Sequence, residues 1–309
     1  MIKKVKSQKS KVKSDENHQK KPLLLYLIGL LILVLFVNSI RSSLFFKHEE
    51  RVNVVFYDRE PVFYSLGIDD GINYYINFYP DIKVTVPGGY GRYRVGGLKK
   101  IVALEKKSEI FKKAFSVATS SFINLYFYTK GEDVYYGKNV DEDRFLIPSV
   151  QQFFFSSSNA GFVDRCYIFF RLIGKRKSDF IEIGPEKKIV QNEELFASEE
   201  LIKNYQGYFY KKTYRNENLN VQIVYTKSLL TAKTIGSIIE GEGTRVVDFS
   251  QSDKNLINAS CRVIENSQRF SQTAIHLSDF FKCSLVKGKI EISDIILELG
   301  SVEADWEII

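Results

Sequence analysis

NVQIVYTKSLLTAKTIGSIIEGEGTRVVDFS, residues 220–250, is the stretch whose pattern decides the fold. It opens on β-branched and aromatic residues, which read as a strand over 219–226. Leu229, Leu230, Ala232, Ile235, Ile238 and Ile239 then recur at three- and four-residue spacing, which predicts a helix over 229–241. Gly241 and Gly243 suit its end, and TRVVDFS returns to a strand over 244–250. Beyond it lie an expected strand at 257–264, a helix at 267–282 and a final strand near 293–300. The order βαββαβ over residues 219–309 predicts a split βαβ sheet with both helices on one face.

Working toward the N-terminus, KKTYRNENL (211–219) is polar and without period, and marks a domain boundary. The segment ahead of it, 50–210, mixes both element types. NVVFYD (53–58), VFYSLGI (62–68), NYYINF (73–78) and IKVTV (82–86) read as strands separated by turn residues, hence an antiparallel meander. Lys99–Tyr128 and Asn159–Gly174 carry helical periods, and a helix is expected from Ser198. The fold class is thus α/β in the α+β sense, with 18 Tyr and 24 Phe to stiffen the core.

LLLYLIGLLILVLFV (23–37) with Asn38-Ser39-Ile40 gives eighteen uncharged residues before Arg41. At 1.5 Å per residue that spans about 27 Å, and the segment is expected to be a transmembrane helix over 23–40. Eight lysines precede it, so the positive-inside rule leaves a basic tail, 1–22, in the cytoplasm and residues 41–309 outside a bacterial cytoplasmic membrane. The tail also absorbs most of the formal charge of +7. The remainder is near neutral, so no nucleic-acid partner is expected. Cys166, Cys261 and Cys283 form neither a framework nor a zinc motif; Cys261 and Cys283 are read as buried apolar residues or as one bridge.

NVQIVYT (220–226), LLTAKTIGSII (229–239), VVDFS (246–250) and SDIILELG (293–300) together resemble the LytR C-terminal domain family of bacterial envelope proteins. Where that family often has Asn-Gly after its first strand, this chain has Thr226-Lys227-Ser228. INFYPDIKVTVPGGYGRYRVGGL (76–98) resembles, in shortened form, the LytR–CpsA–Psr catalytic domain, with Asp81 at the motif's Asp but Pro80 at its Arg and Tyr79 at its Pro. The resemblance implies a single-pass envelope protein. In that family Asp residues hold a divalent metal and Arg residues grip a polyprenyl pyrophosphate.

Asp58, Asp69, Asp70 and Asp81 are the acidic candidates of this domain, and each also suits a turn. Arg92 and Arg94, two apart on one strand, share a face and could hold a pyrophosphate. Gly88-Gly89-Tyr90-Gly91 lacks the Gly-Lys-Ser/Thr of a phosphate loop and reads as a hairpin turn. His18, His48 and His276 form no catalytic motif. Two expectations follow. The first is a non-catalytic module, held in the bilayer by residues 23–40, that binds a cell-wall polymer or an envelope protein and needs no cofactor. The alternative is a magnesium-dependent phosphotransferase attaching polyprenyl-pyrophosphate-linked glycopolymers to the wall, with Asp81 catalytic and Arg92 and Arg94 binding the pyrophosphate.

Overall fold

A computed structural model describes residues 26, 29–31, 33–34, 37, 40–41, 43–47, 49–136, 147–184, 187–190, 193–196, 198–205, 207–252 and 260–309. Its first strands are β1 (Arg51–Tyr57), β2 (Val62–Gly67), β3 (Asn73–Asn77), β4 (Lys83–Val86) and β5 (Gly91–Arg94). Helices α1 (Leu98–Glu105) and α2 (Glu109–Thr119) follow, then β6 (Leu125–Tyr128), α3 (Val150–Phe155), β7 (Ser157–Ser158) and α4 (Phe162–Leu172). Next come β8 (Phe180–Glu182), β9 (Lys187–Val190), β10 (Glu193–Phe196), α5 (Ser198–Tyr205) and α6 (Lys212–Glu217). The last group is β11 (Asn220–Tyr225), α7 (Leu229–Gly241), β12 (Arg245–Gln251), β13 (Arg262–Glu265), α8 (Gln272–Phe281), β14 (Ser284–Lys287), β15 (Ile295–Glu298) and α9 (Val302–Asp305).

The chain divides into two compact units, residues 1–48 with 161–168, and residues 49–160 with 169–309. In the first, the Leu44 N–H donates to the Asp164 carboxylate at 2.8 Å and Phe45 meets Tyr167 edge-on. Among the described residues no helix is long and apolar enough to cross a membrane. This overturns the expected span over 23–40, and with it the single-pass topology and the outward placement of 41–309. An apolar run records how its side chains partition; a crossing also needs a helix long and apolar enough to span the hydrocarbon core, and none of the described helices is. Tyr26, Gly29–Leu31, Leu33, Val34, Val37 and Ile40 are helical, and the rest of 23–40 lies outside the described residues, as does the whole basic tail 1–22.

Among the described residues the second unit is mixed α/β with three sheets, ordered β7-β6-β1-β2-β3-β8, β5-β4-β10-β9 and β12-β11-β15-β13-β14. β1 to β3 pair antiparallel, as short turns dictate, whereas β4 leaves them to start the second sheet. The central β1 is buried along its full length and lies parallel to β6. Phe63, Phe78, Phe111, Phe115 and Tyr126 fill a core between the first two sheets and α1–α2. The helical period read over 99–128 resolves into α1, α2 and β6. The break comes at Lys106, in the left-handed conformation with φ 54°, where neither Gly nor Pro announces it.

The third sheet corrects the split βαβ expectation. β11-α7-β12 and β13-α8-β14 each place their parallel strands side by side, and β15 fits between them, parallel to β11 and antiparallel to β13. The strand missing from the sequence reading is β14. Its four residues are too short to show alternation, and they follow directly on a helix. Cys283, one residue before β14, is bonded to Cys261, one residue before β13, with Cα atoms 4.7 Å apart. Of the two readings left open for this pair, the structure takes the bridge. Closing its loop is worth about 3 kcal/mol in the chain-entropy picture.

Glu303 fixes the turn after β11. Its carboxylate accepts from the N–H groups of Thr226, Lys227 and Ser228 at 2.6–2.8 Å. Burial works against its charge, yet these donors hold its pKa below the ordinary glutamate value. Val117 and Phe122 complete the core of the third sheet, and Phe122 stacks on Phe280 at 4.0 Å. Residues 212–217, where composition suggested a boundary, form α6 with Tyr214 buried.

Candidate functional site

Asp81 and Arg94 come together, with a guanidinium nitrogen 3.7 Å from the carboxylate. The Arg94 guanidinium also lies 6.0 Å from the centre of the Tyr136 ring. Arg92 faces outward, opposite Thr85 on β4. None of the three lines the crevice described below. Asp70 is spent on the buried Arg51 at 2.8 Å. No group of three or more potential metal ligands occurs among the described residues.

Asp69 is exposed in the turn between β2 and β3, and the fourth acidic candidate, Asp58, stands elsewhere. β1 and β6 run parallel in register from Val54–Leu125 to Tyr57–Tyr128, so both chains leave the sheet at the same edge, at Asp58 and Thr129. Crevices beyond the carboxyl ends of parallel strands are favoured ligand sites, because side chains from separate loops converge there. α3 closes this edge. Ser149 caps it by accepting from the Gln152 N–H at 3.3 Å, and the Gln152 side-chain oxygen accepts from the Ser149 N–H at 2.7 Å. With its oxygen so occupied, Gln152 aims its amide nitrogen at Asp58 and donates at 3.1 Å. The other Asp58 oxygen accepts from the Arg59 N–H at 2.9 Å.

Two hollows of about 620 and 210 Å³ meet at this Asp58–Gln152 pair. The larger is bounded by Thr129, Lys130, Ser149, Gln151, Ser156 and Phe155, whose ring is 83% exposed. The smaller adds Arg59, Glu60 and the apolar wall of Phe56, Tyr64 and Pro148. Hydrogen-bonding groups of both senses thus surround an open aromatic face. Asp58 was among the acidic residues picked out in the sequence. Gln152 was not, since only the capping box and the strand register show where its amide points.

No known protein-family model matches this chain, and no curated protein matches it. Three solved structures are similar. A transcription-regulator candidate from Eubacterium siraeum is 10% identical with TM-score 0.33, covering 50% of this chain and 89% of its own. A transcriptional regulator of Bacillus subtilis is 9% identical with TM-score 0.34, covering 52% and 98%. One from Enterococcus faecalis is 10% identical with TM-score 0.34, covering 66% and 92%. Scores of this size do not establish a shared fold. The comparisons overturn the likeness to LytR–CpsA–Psr proteins and the LytR C-terminal domain. No family model supports it. The envelope role, the wall-polymer or envelope-protein partner and the glycopolymer transferase fall with it. The exclusion of nucleic acid is withdrawn too: a near-neutral total does not describe local charge, and six lysines fall between Lys99 and Lys113.

Proposed function

We propose that this is a ligand-binding protein whose crevice at the ends of β1 and β6 takes a small polyhydroxylated molecule of mono- or disaccharide size. The observation that carries this reading is the meeting of two hollows at the Asp58–Gln152 pair, beside an open Phe155 ring. Hydroxyl groups need a donor and an acceptor each. The carboxylates of Asp58 and Glu60 accept, Arg59 and Lys130 donate, and the Thr, Ser and Gln groups do both. Phe155 offers an apolar face for the C–H side of a sugar ring. The volumes lie within or close to the range of about 300–1,000 Å³ usual for small-ligand sites.

Titration calorimetry of the full chain against a panel of neutral mono- and disaccharides tests this. A member of the panel is expected to bind, with affinity lowered about tenfold or more in Asp58→Ala, the loss of a charged hydrogen bond being about 1.5–3 kcal/mol. Phe155→Ala is expected to weaken binding without altering the fold, because the ring is exposed. Absence of binding across the panel, or wild-type affinity in both variants, would refute it.

A further inference from the structure

A second cavity, of about 490 Å³, opens between α2, the β4–β5 turn, the end of α8 and the segment around Trp306. Five lysines line it, Lys106, Lys107, Lys112, Lys113 and Lys282, against two carboxylates, Glu109 and Asp305. Lys282 pairs with Glu109 at 2.8 Å, and Lys113 lies 3.6 Å from the Asp305 carboxylate. That leaves Lys106, Lys107 and Lys112 with no ion pair among the described residues.

Lys112 is the telling member. Its half-buried ammonium donates to the Phe280 carbonyl at 3.2 Å and sits 4.0 Å from the centre of the Phe280 ring. An ammonium has three donors, so one carbonyl and a ring face leave hydrogen-bonding capacity beside the cavity. Burial pushes its pKa down to about 8, with the Glu109 carboxylate opposing and the Lys282 and Lys113 ammoniums adding to the shift. A cation in this position is held at a cost that a bound anion would remove. Ser108, Glu109 and Ile110 place the first turn of the eleven-residue α2 on the same wall, adding the positive end of its dipole. Tyr90, Phe281 and Trp306 supply apolar surface.

We propose that this cavity is a second ligand site, one that binds a small organic phosphate through Lys107 and Lys112 and holds its organic part against Tyr90 and Trp306. Three lysines outside any ion pair favour a ligand with more than one negative charge, which a phosphate monoester supplies and a single carboxylate does not. Lysines act as point charges on such an anion and do not require the fixed fork of arginine. The volume accommodates one molecule of nucleotide size. The site shares no residue with the Asp58 crevice, so the two readings stand or fall separately.

Titration calorimetry of the full chain with adenosine monophosphate and with inorganic phosphate at low salt tests the proposal. Both are expected to bind, the nucleotide more tightly. Lys112→Met is expected to weaken nucleotide binding tenfold or more, and the exposed Lys107→Gln several-fold with an unchanged circular dichroism spectrum. Raising the pH from 7 to 9 is expected to weaken binding several-fold as Lys112 loses its proton. No heat from either probe overturns the proposal, as does wild-type affinity in both variants. Equal affinity for phosphate and nucleotide overturns the role of Tyr90 and Trp306. Binding of a single-stranded oligonucleotide without any response to the nucleotide assigns the lysines to a polymer instead, and overturns it as well.

Discussion

Glu242 shows how one buried carboxylate can govern the pH response. It follows α7, is 1% exposed, and accepts from the Phe122 N–H through one oxygen while the other has no partner among the described residues. Burial raises its pKa from 4.5 to about 7, against the pull of Lys211. Lys211 is bound at 2.5 Å to Glu49, and Tyr214, Glu49 and Glu242 hold its ammonium above the ordinary lysine pKa in spite of burial. For Glu242 the folded pKa lies above the unfolded one, so the folded state binds the proton more tightly. Stability attributable to this group is therefore present below about pH 4.5, declines as the pH rises to 7, and stays lost above. Glu242→Gln mimics the protonated form. It is expected to stabilise the protein by on the order of 2–3 kcal/mol at pH 8 and by under about 1 kcal/mol at pH 5. Urea denaturation of both proteins at the two pH values measures this. An equal effect at both would mean that Glu242 does not titrate in this range.

At the level of elements, strands bounded by Asp-Arg-Glu-Pro and Asp-Asp-Gly were legible because aromatic and β-branched runs alternate with residues that turn the chain. The hairpin at Gly88-Gly89-Tyr90-Gly91 was legible for a related reason, since Gly88, Gly89 and Gly91 all adopt positive φ. What sequence could not convey was pairing. Nothing in IKVTV says that β4 leaves the first sheet, and nothing in SLVK says that it completes the third. The crevice was half legible. Asp58 stood out as an acid at a strand end, but the parallel register of β1 with β6 gives its position meaning, and that register joins residues about seventy apart. Close approach between helix ends was equally invisible. A Cβ on Gly241, at the end of α7, would stand 1.7 Å from the Ser120 carbonyl oxygen beyond α2. Gly241→Ala is therefore expected to cost about 2 kcal/mol or more as the two helix ends are forced apart. Gly184→Ala, which meets nothing within 4 Å, is expected to stay within about 0.5 kcal/mol of wild type. Thermal unfolding of the pair gives the comparison, and matching midpoints would show that the α7–α2 approach is not rigid.

At the scale of the larger unit, the third sheet is tied to the rest by groups of every kind. Phe122 stacks on Phe280, Lys112 caps the end of α8, Lys282 pairs with Glu109, and Lys211 with Glu49. Because Val117 and Phe122 belong to the core of the third sheet, that sheet cannot come away without exposing apolar surface on both sides. Native-state hydrogen exchange is expected to give the slowest amides of β1 and β11 the same opening free energy, within about 0.5 kcal/mol. Distinct values would mean that the third sheet opens by itself.

Trp306 is the chain's one tryptophan. It is 4% exposed, edge-on to Phe281 at 5.4 Å, with the Lys113 ammonium 5.8 Å from its ring. The protein thus carries a built-in optical gauge on a single wall of the lysine cavity. A change in indole emission reports events at that wall without any dye, while the Asp58 crevice, which Trp306 does not line, can fill in the dark.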